Sequence, residues 1–90
     1  MIVLSLNFYR DEVSEFIYKS RFSVDIPRIF DMLDEEYSLL KSSCGDADRM
    51  KHQIYDMLFL LLEIAAKYNM DLDTEWSKGK EKKKKYLPID

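Results

Sequence analysis

The 90-residue chain predicts an all-α fold, a four-helix bundle, on three observations. Apolar residues recur at steps of three and four, short segments rich in helix-ending residues separate these stretches, and no segment carries a strand signal. The whole chain, 1–90, is expected to form one domain with a basic C-terminal extension over 78–90. At this length a lone core buries only a little more than about 60% of the unfolded surface, so help from a partner subunit is expected.

The first helix is read from Ile2, Leu6, Tyr9, Val13, Phe16 and Ile17, which spread over the first twenty or so residues despite a β-like opening. The stretch "SVDIP" breaks that pattern. Pro27 suits a first helical turn and disfavours helical geometry at Ile26 before it. The second helix then spans about 27–42, with Ile29, Phe30, Leu33, Tyr37 and Leu40 on its core side.

In "SSCGD", Gly45 suits the left-handed exit and Asp46 the next N-cap, and so short a loop makes helices two and three antiparallel neighbours. Helix three, about 47–68, has no internal glycine or proline and a polar face covering only about a third of its circumference, which makes it the central helix. Asn69 is placed to end it and Asp71 to cap a fourth helix whose first turn is acidic. Leu72 and Trp76 share a face of that helix. From Gly79 to Tyr86 no apolar residue intervenes, so this stretch is either a solvated helical extension or a mobile tail.

The single cysteine, Cys44, excludes an intramolecular disulfide and a Cys/His zinc set, which fits a reducing cytosol. The oily opening lacks a positive flank and a small-residue cleavage site, and the run from 58 to 62 is too short for a bilayer; a soluble cytoplasmic protein without a membrane partner is expected. The net charge of −3 is unevenly spread, with 8 basic and 15 acidic side chains in residues 1–77 and 6 and 2 in residues 78–90. An acidic body argues against nucleic acid as a partner, even though four lysines stand together at 82–85.

On a helical wheel Glu36 falls inside the apolar arc of helix two, whereas Asp34 and Glu35 point away from it. An unpaired carboxylate in that arc needs a reason, because stripping its charge of water costs several kcal/mol, in round terms, unless a metal or partner compensates. On helix three His52, Asp56 and Glu63 share one narrow polar stripe, read either as part of a site or as the wet side of a buried helix. His52 and Glu63 are read as its solvent margin. Carboxylates from two helices suit a hard ion, Mg²⁺ or Mn²⁺, which characteristically shares its shell with water and substrate phosphates. Tyr55, Phe59, Tyr68 and Trp76 are read as core or interface filler, with Trp76 placed where the lysines begin.

The order of "LDEEYSLL", "HQIYDMLFLLLEIAAKYNMDLD" and "EWSKGKEKKKKYL" resembles the MazG-like nucleotide pyrophosphohydrolases of the all-α NTP pyrophosphatase superfamily, over about residues 28 to 87. Leu33, Glu35, Glu36 and Leu40 match that family's first acidic motif, Asp56 and Leu58 its second, and Asp71, Leu72, Lys82 and Tyr86 its closing segment. Leu39, Gln53 and Lys83 depart from it, the first two standing where acids belong. The resemblance implies hydrolysis of a nucleoside triphosphate to monophosphate and pyrophosphate in a homodimer or homotetramer. It also implies Mg²⁺ or Mn²⁺ held by Glu36 and Asp56. Glu35 or Glu63 would assist catalysis through water, Lys78, Lys82 or Lys83 would meet phosphate oxygens, and Trp76 is a candidate for stacking a base. The alternative is a catalytically inactive relative that serves as an oligomerisation or regulatory module.

Overall fold

The computed structural model describes residues 4–21 and 24–88. They form four α-helices, α1 (Leu6–Ser20), α2 (Ile26–Ser42), α3 (Ala47–Lys67) and α4 (Leu72–Lys83), then a 3₁₀ turn over Lys84–Tyr86, and none of them lies in a strand. No helix among the described residues is long and apolar enough to cross a membrane.

Each helix starts where a side chain can take a free N–H. Ser5 accepts from the Phe8 amide at 3.1 Å, so α1 begins at Leu6; Ile2 lies outside the described residues. Asp25 accepts from the Arg28 amide, and α2 starts at Ile26, one residue earlier than expected, with Pro27 in its first turn where no intrahelical donor is lost. Asp46 and Asp71 cap α3 and α4 as the sequence predicts. The exits follow too: Gly45 and Asn69 adopt φ of 95° and 51°, and the Met70 amide reaches back to the Ala65 carbonyl at 2.9 Å. Beyond Gly79 the chain takes the form of a solvated helical extension, since α4 runs on to Lys83 with no buried residue.

Both α1 and α2 pack against α3, one on each flank, and scarcely touch each other. The result is a layer of three helices rather than a closed bundle. Its core is small: among the described residues Val13, Ile29, Leu60, Leu62 and Ala65 are the buried apolar ones. Tyr9, Phe16, Phe30, Tyr37 and Tyr55, expected as core or filler, are 41–61% exposed instead, and Tyr68 and Trp76 are exposed as well. The reason is architectural, because side-by-side helices bury only their flanks and leave the faces of the layer open.

The fourth helix is attached by polar groups. The Asn7 side chain donates to Asp71 Oδ1 at 2.9 Å and accepts from the Leu72 amide at 2.8 Å. In return Asp73 Oδ1 accepts from the Leu6 amide at 2.9 Å, and Arg10 Nη1 donates to the Met70 carbonyl. Two helix N-termini therefore cap each other, which satisfies free donors on both.

Candidate functional site at the junction of α2 and α3

The turn between Ser43 and Asp46 is closed by the Asp46 amide donating to the Ser43 carbonyl at 2.9 Å. Counting equal numbers of residues outward from it gives the register of the antiparallel pair. Ile29 and Leu60 fall at one level by this count, and both are buried, at 0% and 5% exposure. Glu36 and Gln53 stand at one level too, about 10 Å from the turn at 1.5 Å per residue. Asp56 lies one turn further along α3, level with Leu33.

Glu36 is half-buried, in keeping with its place in the apolar arc. Its Oε2 and the Oε1 of Gln53 are buried without a hydrogen-bond partner. Two unpaired acceptor oxygens thus stand at one level of the α2–α3 junction, and a buried unsatisfied acceptor costs about 1–3 kcal/mol. Asp56 is partly exposed, and its Oδ2 stands 3.3 Å from His52 Nε2 one turn earlier on the same helix. A donor from His52 fixes that carboxylate in place when this nitrogen carries a proton.

The remaining candidates are not gathered there. Glu35 is exposed on α2, with Arg28 Nη1 at 3.8 Å as a loose companion. Glu63 is 4% exposed, which overturns its reading as a solvent margin. It sits about 10 Å along α3 from Asp56, beside a small cavity of about 80 Å³ lined by Ser14, Ile17, Glu63, Ala66 and Lys67. Its Oε2 also lacks a partner, and burial raises its pKa above the ordinary carboxylate value while the Lys67 charge pulls the other way. Lys78, Lys82, Lys83 and Trp76 lie on α4, which packs chiefly on α1, so within one chain they do not close over the Glu36–Asp56 region.

Gln53 is the residue whose place in this site the sequence reading passed over as a mere departure from an acidic pattern. Its signal was the one that singled out Glu36, a polar side chain in the same wheel sector as Leu60 and Ile64. Among the described residues no three of His, Cys, Asp and Glu gather closely enough to hold a metal ion. The chain matches no known family model, no curated protein and no solved structure.

Proposed function

We propose that this chain is a divalent-metal-dependent nucleoside triphosphate pyrophosphohydrolase of MazG-like type, releasing monophosphate and pyrophosphate. The observation that carries the reading is the orphaned, buried Oε2 of Glu36, on the helix packed against the one that bears Asp56. A buried carboxylate oxygen of this kind is offset by a bound cation. The resemblance over residues 28 to 87 supports the same reading from the sequence.

Glu36 and Asp56 would hold Mg²⁺ or Mn²⁺. Two carboxylates fit an ion completed by water and substrate phosphates rather than a cage made by protein alone, because such an ion takes about six oxygens. The ion's chemistry there is neutralisation of phosphate charge. His52 orients Asp56. Glu35, one residue from Glu36 at the wet edge, is the acid placed to hold a water, whereas Glu63 stands too far along α3 to share it. The lysines of α4 attract a polyanionic substrate at long range.

A second reading, an inactive MazG-like module for oligomerisation or regulation, is favoured by Gln53, a neutral amide at the level of Glu36. One experiment separates the two. Pyrophosphate release from a panel of common and modified nucleoside triphosphates is expected with Mg²⁺ or Mn²⁺ and not with EDTA. It should fall roughly a hundredfold or more in Glu36→Gln and Asp56→Asn while helicity is kept. No release from any nucleotide would favour the module, and normal release by both variants would sink the ligand assignment.

A further inference from the structure

The groove between α1 and α3 combines aromatic rings with a free carboxylate. Its walls carry Tyr9 and Phe16 from α1 and Tyr55 and Phe59 from α3. Its volume of about 490 Å³ falls within the roughly 300–1,000 Å³ of sites that hold small molecules. Phe16 meets Phe59 edge to face, with ring centroids 5.8 Å apart and planes at 87°, and Tyr55 is tilted 46° to Phe59 at 6.5 Å. Rings set at such angles turn their faces in several directions, as do the aromatic cages that surround a quaternary ammonium group. Tyr9, Phe16 and Tyr55 are exposed, so these rings are open to a ligand.

Glu12 gives the groove its sign, as the one charged residue lining it. Of the three acids on α1, Asp11 holds Arg10 at 2.8 Å and Glu15 holds Lys19 at 2.6 Å. Among the described residues no side chain pairs with the Glu12 carboxylate. The unpaired acid is thus the one beside the rings. An exposed ion pair contributes little by itself. Next to an apolar body held by aromatic faces, the carboxylate selects a cation over a neutral molecule of the same shape. The surplus of acids in residues 1–77, 15 against 8 basic side chains, draws cations over a longer range.

We propose that the α1–α3 groove binds an apolar cation, a small molecule that carries an alkylated ammonium head on an aromatic or aliphatic body. The head sits against the rings and Glu12, and the body covers Leu58 and the buried Val13 and Leu62. This site stands apart from the nucleotide reading. Leu58 and Asp56 point about 160° apart on α3, at 100° per residue, and Glu12 repels a polyanion.

The test is an NMR titration of the full chain with the meta-hydroxyphenyl trimethylammonium ion and with meta-tert-butylphenol, its uncharged isostere. The cation is expected to shift the signals of Phe16, Tyr55 and Leu58 and to bind roughly tenfold more tightly than the isostere. Glu12→Gln should weaken the cation about threefold or more and leave the isostere unchanged. Glu15→Gln makes the same change of charge at a paired acid and should leave both unchanged. Tyr55→Leu, which replaces an exposed ring by an apolar side chain, should weaken the cation more than the isostere. No groove shifts at millimolar cation, equal affinity for cation and isostere, or equal weakening by Glu12→Gln and Glu15→Gln would overturn the proposal. The comparison of cation with isostere uses the wild type alone, so it decides even if Tyr55→Leu does not fold.

Discussion

At the junction of α1 with α4 the polar groups lie near the surface and are paired, whereas at the junction of α2 with α3 two side-chain oxygens are buried without a partner. Asn7, Arg10, Asp71 and Asp73 each hold at least one partner across the first junction or at its caps. At the second, Glu36 and Gln53 each keep one buried oxygen without a partner, in a junction whose buried apolar side chains are Ile29 and Leu60. Paired groups hold a structure together. Orphaned ones are tolerated at a cost in stability, and the cost points to a role outside folding.

The comparison predicts opposite signs for substitutions of paired and of orphaned polar groups. The largest effect belongs to the apolar contact between α2 and α3. Ile29→Ala removes the most completely buried large side chain and is expected to cost about 3 kcal/mol in urea unfolding followed by helical circular dichroism. A loss under about 1 kcal/mol would mean that the junction is not held by that contact.

Next comes the polar clamp. Asn7→Ala deletes a donor to Asp71 and an acceptor for the Leu72 amide, and about 1–2 kcal/mol is expected to be lost. Most of that loss is local. Hydrogen exchange should accelerate at the start of α4 while amides in the middle of α3 keep their protection. Equal acceleration everywhere would show that α4 unfolds only together with the whole domain.

At the carboxylates the sign reverses. Glu63→Gln removes a charge from a site where burial disfavours it, and about 1 kcal/mol should be gained at neutral pH. Since burial raises the folded-state pKa above the ordinary 4.5, the ionised group weakens the fold. That penalty is absent below the unfolded value and grows as pH rises through the raised folded one. Melting temperatures of wild type and variant should therefore converge near pH 4 and part toward neutrality. Glu36→Gln is expected to fold at least as stably as the wild type even where it abolishes turnover, and joint loss of stability and activity would assign Glu36 to the fold.

Much of this fold was legible in the sequence because it is written in local chemistry. Asp46 and Asp71 as caps, Gly45 and Asn69 as exits, and Glu36 inside an apolar arc all follow from neighbours a few residues away. What periodicity could not say is whether an apolar stripe faces this chain or a surface left open. Phe30 and Tyr37 carry the same helical spacing as Ile29 but stand half exposed, because closure of the layer depends on how three helices sit side by side. Glu63 was misread for a related reason: its wheel sector is polar, yet α1 lies over it. The clamp escaped notice because Asn7 and Asp71 are more than sixty residues apart in the chain.

The smallest effect follows from the acid behaviour of the clamp. Asp71 accepts from the Asn7 amide and from both the amide and the hydroxyl of Thr74, and these bonds, with Asn7 first, lower its pKa from 3.8 to about 2. A carboxylate depressed in the folded state contributes stability that is fully present above pH 3.8 and is lost as pH falls toward 2. Because the group is fully exposed, solvent screens much of that contribution, so its signature is local. Following the Thr74 amide by NMR should give a midpoint near 2 in the wild type. In Asn7→Ala the midpoint should move up toward the ordinary range, since the largest contributor has gone. A wild-type midpoint already at the ordinary value would mean that the Asn7–Asp71 contact is not held in solution. The paired junction would then lose the bond that sets it apart from the orphaned one.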